Sequence, residues 1–259
     1  MTGLLLESSD EFHIKEYERL KSLPGFNEIF SEDEIKSCPL TLRFTGDGVI
    51  LTDGVLSLKG DLSAMKRRVL KEMWRHELLS RAARLKSNES GTELPVCIDA
   101  TAGLGEDSLI LSAAGYKVFM FEKNPVIAEL LRDSLRRALD DPEICGLAQR
   151  MVLTEGDSIE GIRDFARENG VPGIIYLDPM FPGREKTGKI KKKFQLLQKL
   201  ESPCTDGEGL LRAAMEAGPS RIIIKRPEKG EALGGRLPDF SYTGGTVRYD
   251  CFGKGAVYD

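Results

Sequence analysis

Between Val96 and Asp107 the chain reads Val-Cys-Ile-Asp-Ala-Thr-Ala-Gly-Leu-Gly-Glu-Asp, and this stretch limits what the whole can fold into. The apolar residues before Asp99 suit a strand covered on both faces. Gly103 and Gly105 can take backbone angles closed to other residues and let a ligand approach the main chain. Ser108 to Ala114 continues as a helix, with the acids Glu106 and Asp107 at its start, where negative charge is favoured. Such a strand, turn and helix open a nucleotide-cofactor fold, although two turn glycines with no ligand would read alike.

A dinucleotide site would carry a third glycine in the G-x-G-x-x-G register, and here Ser108 stands in that place. Asp99 closes the strand with a carboxylate. That disfavours a pyrophosphate and suits a ligand bearing a sulfonium and an amino group, such as S-adenosylmethionine, reached directly or through water.

From Leu94 the pattern alternates strand and helix, as in a parallel sheet. Tyr116–Phe121 is the second strand, ending at Glu122 and Lys123. Glu122 follows Asp99 by about 20 residues, the spacing of the acid that takes ribose hydroxyls in such units. Asn124-Pro125 opens the next helix. Met151 begins a third strand leading to Asp157 and Ser158, placed either to bind an adenine amino group or to cap a helix. Gly173 to Leu177 is an apolar strand running into Asp178-Pro179-Met180-Phe181-Pro182. There a carboxylate and a backbone carbonyl could accept the two N–H bonds of a planar amine while Phe181 stacks on its ring. Arg221–Pro227 is a further buried strand ending in Lys225 and Arg226, and Val247–Phe252 is expected as an antiparallel edge strand.

Residues 1–60 read as a small N-terminal region. Its short runs 40–44, 49–51 and 55–58, broken at Gly46-Asp47-Gly48 and Asp53-Gly54, predict a small antiparallel sheet. Residues 61–92 read as a basic helix and linker, with one unbroken helix from Leu62 to Lys86, and residues 93–259 as the cofactor-binding domain. The net charge of −4 means that contact with nucleic acid must come from local patches. Two are available: the 62–86 helix, including Arg67 and Arg68, and the run Arg184, Lys186, Lys189, Lys191, Lys192, Lys193 beside the Asp178 loop. The first reads more readily as a solvated helix face than as a phosphate contact, while for the second the two readings are level. Five scattered cysteines suggest reduced thiols, and two histidines exclude a histidine-rich metal site. Leu4-Leu5-Leu6 is too short for a signal peptide or a span, so a cytoplasmic protein is expected.

Asp99-Ala-Thr-Ala-Gly-Leu-Gly105, Glu122-Lys-Asn-Pro125, Asp178-Pro-Met-Phe-Pro182 and Lys225-Arg-Pro227, in this order, resemble the bacterial small-subunit ribosomal RNA guanine-N2 methyltransferases known as RsmJ. The resemblance runs from about residue 55 to the C-terminus and is strongest from 97 to 182. It implies a Rossmann-like class I methyltransferase, α/β with a mostly parallel sheet and an antiparallel edge strand. It further implies methyl transfer from S-adenosylmethionine to the exocyclic N2 of a guanine in 16S rRNA, with the rRNA or the small subunit as partner. By similarity Glu106, Asp107, Glu122, Lys123, Asp157, Ser158 and Asp178 fall at cofactor positions, joined on the residue reading by Asp99, Gly103 and Gly105. Asp178, Pro179 and Phe181 would serve the reaction, and Arg67, Arg68, Arg184, Lys186, Lys191, Lys192, Lys193, Lys225 and Arg226 the RNA. One departure stands out. The family usually has a glycine-rich run after its paired arginines, whereas Arg67-Arg68 here leads into Val69-Leu70-Lys71-Glu72-Met73-Trp74-Arg75-His76. Rival readings are another exocyclic amine (adenine N6), a non-catalytic RNA-binding factor, and an NAD-dependent oxidoreductase, the last opposed by the missing third glycine.

Overall fold

The computed structural model of the protein describes residues 1–36, 38–85, 94–179, 192–200 and 206–253. In chain order its elements are β1 (Thr2–Leu6), α1 (Glu11–Lys21), β2 (Phe26–Glu28), α2 (Glu32–Ile35), β3 (Leu40–Thr45), β4 (Gly48–Thr52), β5 (Ser57–Lys59), α3 (Lys66–Val69) and α4 (Leu78–Ala83). Then follow β6 (Val96–Asp99), α5 (Glu106–Ala113), β7 (Lys117–Glu122), α6 (Pro125–Leu139), α7 (Cys145–Ala148), β8 (Met151–Glu155), α8 (Ser158–Asn169), β9 (Ile174–Leu177), α9 (Lys192–Leu200), α10 (Gly207–Glu216), β10 (Arg221–Pro227), β11 (Phe240–Gly244) and β12 (Val247–Gly253).

Two compact units divide the chain. The first comprises residues 1–61, 124–137 and 183–202. Its five-stranded sheet has the order β2-β1-β3-β4-β5. It is mixed rather than antiparallel: β1 runs parallel to both β2 and β3, and only β3-β4-β5 alternate. Leu4 and Leu5, too few for any span, are buried in this added strand β1. In the same unit Asn124 Oδ1 accepts the amide of Val126 at 2.9 Å, so α6 starts at Pro125 with a side-chain cap.

The second unit comprises residues 62–123, 138–182 and 203–259 and holds a seven-stranded sheet in the order β11-β12-β10-β9-β6-β7-β8. The five strands from β10 to β8 are parallel, β12 runs antiparallel to β10, and β11 antiparallel to β12. Ile174, Ile175, Tyr176 and Leu177 are all buried, as expected of a strand covered on both faces. Ile98, Ile175 and Ile222 from neighbouring strands pack with Phe165 of α8 and Leu211 of α10. The edge differs from expectation. Val247–Gly253 pairs on both sides, with β10 and β11, so Phe240–Gly244 forms the edge. Phe240, Tyr242 and Thr243 showed only a weak alternating pattern.

The expected helix over 62–86 is interrupted. Leu62–Met65 is a 3-10 turn, α3 ends at Val69, and Leu70 is extended. Lys71 and Glu72 both take left-handed angles, and Met73–His76 forms a second 3-10 turn before α4. The burial pattern explains the break. Leu62, Met65 and Val69 are buried, but continuing that stripe would bury Glu72, Met73 and His76, all exposed; the buried face resumes at Leu79, Ala82 and Ala83. A single helix through both sets would carry Glu72 and His76 on the buried stripe between Val69 and Leu79, and the break leaves both exposed.

Candidate active site

Sheet order locates the site. The chain passes from β6 outward through β7 to β8, then returns to the other side of β6 for β9 and β10. The strand order therefore reverses between β6 and β9, where open parallel sheets leave a crevice beyond their C-terminal ends. Asp99 ends β6 and Asp178 follows β9 at that point.

The two loops are tied together. Asp178 donates its backbone amide to Thr101 Oγ1 at 2.7 Å, and Ala100 donates its amide to the Tyr176 carbonyl at 3.0 Å. On the other side Ala102 donates to the Phe121 carbonyl at 3.1 Å, and Gly103 donates to Glu122 Oε2 at 3.0 Å. Gly103 (φ 55°) and Gly105 (φ 76°) are both left-handed, the conformation the turn needs to deliver the chain into α5.

Asp99 lies beneath this turn rather than on its rim. It is 1 % exposed, and its carboxylate accepts from the Thr101 amide and the Ser108 hydroxyl. Burial pushes its pKa up to about 7 against these bonds. Its oxygens brace the turn, so direct reach to a ligand amine gives way to support of the loop that would hold one.

The open carboxylates are Asp107 and Asp178. Lys225 Nζ lies 2.6 Å from Asp107 Oδ2 and 3.0 Å from Asp178 Oδ2, and the Tyr176 hydroxyl donates to Asp107 Oδ2 at 2.6 Å. Burial alone would raise the Asp107 pKa, but Lys225 and Tyr176 outweigh it and hold it below the usual value. Burial likewise works against the Lys225 charge, and the two carboxylates overcome it and raise its pKa. One ammonium thus serves two carboxylates at a partly open rim. That donor set fits a cation bearing an α-amino acid end, and the adjacent glycine turn leaves main chain for a nucleoside.

Several expected roles are altered. Lys225 is engaged with the rim acids rather than displayed for phosphate. Arg226 is 5 % exposed and donates to the Glu231 carbonyl, so it is no surface contact for RNA. Alternation along β10 turns its side chain to the opposite sheet face from Lys225. Arg68 is paired to Glu77 through two bonds of 2.7 Å, while Arg67 is exposed. Asp157 accepts from the Ile159 amide at 2.9 Å as the cap of α8 and pairs with Lys123 Nζ at 2.8 Å, while Ser158 is the first residue of that helix. Glu106 sits in the first turn of α5, and Pro179 is buried. Phe181, Arg184, Lys186, Lys189 and Lys191 lie outside the described residues, as do the side chains of Lys192 and Lys193. Tyr176 and Thr101 were missed. Each is the one hydroxyl-bearing residue in an aliphatic strand or small-residue turn, which is a usable signal.

A family model described as "Putative SAM-dependent methyltransferase" matches residues 53–254. Among curated relatives, the ribosomal RNA small subunit methyltransferase J of Neisseria gonorrhoeae is 37 % identical over 186 residues, covering 68 % of this chain and 74 % of that one. It belongs to this family. The counterpart from Shewanella pealeana is 40 % identical over 166 residues, covering 63 % of this chain and 66 % of its own. The match to the Pseudomonas savastanoi pv. phaseolicola counterpart is 40 % identical and spans 60 % of that relative. The alignments with these last two thus take in less than two thirds of their length. A crystal structure of a SAM-dependent methyltransferase from Neisseria gonorrhoeae is similar across 100 % of this chain and 98 % of its own, with a TM-score of 0.74 at 28 % identity. By this match the chain is a member of a family of putative S-adenosylmethionine-dependent methyltransferases. Among the described residues no helix is long and apolar enough to cross a membrane.

Proposed function

We propose that the chain methylates the exocyclic N2 amine of a guanine in 16S rRNA. The observation that carries this reading is the 2.7 Å bond from the Asp178 amide to Thr101, which joins an amine-holding loop to a cofactor turn. The ribosomal RNA named for the relatives supplies the substrate class. S-adenosylmethionine supplies an electrophilic methyl group. The chain's part is to make a poor nucleophile competent, because the guanine amine is delocalised into its ring. The Asp178 carboxylate and the Pro179 carbonyl accept its N–H bonds and favour the pyramidal, charge-developing form, which is stabilisation directed at the transition state. Phe181 stacks on the base. A paired or stacked guanine must first be turned out, at a few kcal/mol.

Asp107 takes the amino group of the methyl donor, with Glu122 on the ribose hydroxyls and Asp157 and Ser158 toward the adenine. Lys225 is a positioning residue. It holds Asp107 and Asp178 side by side despite their like charge. No substrate contact is assigned to it.

Mass spectrometry of 16S rRNA nucleosides tests the assignment. Cells lacking the chain are expected to lose one N2-methylguanosine, restored by the wild type and not by Asp178→Ala. An unchanged N2-methylguanosine content overturns it.

A further inference from the structure

Residues 66–84 carry seven cations, Lys66, Arg67, Arg68, Lys71, Arg75, Arg81 and Arg84, against two acids, Glu72 and Glu77, in a chain whose net charge is −4. Three of the seven are neutralised: Lys66 by Asp141 and Glu143, Arg68 by Glu77, Arg75 by Glu72. Arg67, Lys71, Arg81 and Arg84 are exposed and have no carboxylate partner among the described residues. A solvated helix face would be the plain explanation, but the segment is not a helix face. The left-handed pair Lys71-Glu72 breaks it, and Trp74, in the 3-10 turn that follows, lines a cavity.

That cavity has a volume of about 290 Å³ and is lined by Trp74, Arg75, Ser80, Arg84, Ala114 and Tyr116 among others. The volume is near the lower bound of small-ligand clefts (~300 Å³) and offers room for a single base. Its wall is fixed, because the Tyr116 hydroxyl donates to the Ala83 carbonyl and Arg221 donates to the Ala82 and Arg84 carbonyls at 2.7 Å each. Ser80 lines the cavity and is 6 % exposed as a residue, while its hydroxyl oxygen is buried and has no hydrogen-bond partner among the described residues. The Arg75 guanidinium lies 5.2 Å from the Trp74 ring centroid, a cationic cover on one side of an aromatic plate.

Position relates the cavity to the active site. The segment runs alongside α5: Arg68 lies in the field of Asp107 at the start of that helix, while the cavity includes Ala114 just past its end. Eight residues of helix separate the two, about 12 Å.

We propose that the Trp74 cavity, fed by the unpaired cations Arg67, Lys71, Arg81 and Arg84, is a seat for one unpaired nucleotide of the substrate RNA, a few nucleotides from the methylated base. The base stacks on Trp74, and Arg84 faces the phosphate. Stacking on an aromatic plate with cations along the backbone is how single strands are gripped without sequence readout. This rests on the rRNA reading for its ligand, but not on the chemistry at Asp178.

Trp74 is the sole tryptophan, so its fluorescence reports this site directly. Titrating the full chain with a single-stranded oligoribonucleotide at low salt is expected to quench it. Trp74→Ala is expected to weaken binding of unmodified 16S rRNA about tenfold, and Trp74→Phe at most threefold. Arg84→Glu should weaken it and flatten its salt dependence. Affinity for S-adenosylhomocysteine, read by calorimetry, stays unchanged in all three. The seat is refuted if the fluorescence ignores RNA, or if wild type and Trp74→Ala bind the rRNA equally well. Should Trp74→Ala also lose S-adenosylhomocysteine, its fold is damaged and Arg84→Glu decides by the same readings. A wild-type chain that binds rRNA and quenches but leaves guanine unmethylated sinks the proposed reaction and spares the seat.

Discussion

In the first unit Asp133 is fully buried and each of its oxygens is matched: His13 Nε2 lies 3.2 Å from one, and the Val49 amide and Arg137 Nε donate to the other at 3.1 and 2.9 Å. His13 in turn has Ser8 Oγ at 2.9 Å from its other nitrogen. At the rim of the second unit, Asp107 and Asp178 share one ammonium and stay partly open. Both clusters are ionic, yet they do different work. A buried carboxylate ringed by its own donors fixes one arrangement of chain. A pair of acids with one cation between them keeps charge in reserve for a ligand.

Four variants separate the two. Asp178→Ala should lower the methylation rate by ~10³, about 4 kcal/mol of barrier, with thermal unfolding unchanged. Single-turnover kinetics and calorimetry check both halves, and a large loss of stability would put Asp178 in the class of Asp133. Asp133→Ala should do the reverse, costing about 3 kcal/mol of stability by stranding His13 and the Val49 amide, read by denaturant unfolding. Its affinity for S-adenosylhomocysteine at a temperature where it is folded should match the wild type. Lys225→Met should weaken S-adenosylhomocysteine about tenfold, since the rim acids then repel each other, with only a small change in unfolding midpoint. Equal affinity would show that the ammonium is not what holds them.

Asp99→Asn gives the smallest effect and a sign. The Asp99 pKa is raised by burial from 3.8 to about 7, so the folded state binds its proton more tightly than the unfolded state. That stabilisation is complete below about pH 4 and is lost as pH rises through about 7. Between pH 5 and 8 the wild type should lose a few degrees of Tm, and Asp99→Asn should flatten that slope. A slope unchanged in the variant would assign it elsewhere, Glu129 being the other carboxyl that burial pushes up to about 7.

Much of the second unit was legible because its signals are local. Gly103 and Gly105, the apolar run before Asp178 and the acid at each strand end depend on a few consecutive residues, and strand-helix alternation constrains their assembly. The interrupted segment 62–83 was not legible. Every residue there tolerates a helix, and the apolar stripe continues from Val69 to Leu79; only the exposure of Glu72 and His76 between them goes with the break at Lys71-Glu72. Strand β1 was hidden for a similar reason, since Leu4 and Leu5 carry no period long enough to read.

Sequence by itself determined the β-turn-α unit, the acid-bearing loop at Asp178 and the family, because glycine conformations and strand-end carboxylates are set by neighbours along the chain. Tertiary structure alone decided that Lys225 bridges Asp107 and Asp178, that Arg226 turns inward, and that Trp74 borders a cavity. Those outcomes depend in the first case on residues 118 positions apart (Asp107 and Lys225) that meet a third, Asp178, only in the folded sheet, and on sheet-face alternation and burial in the others. No local pattern encodes which side of a finished sheet a charge will meet.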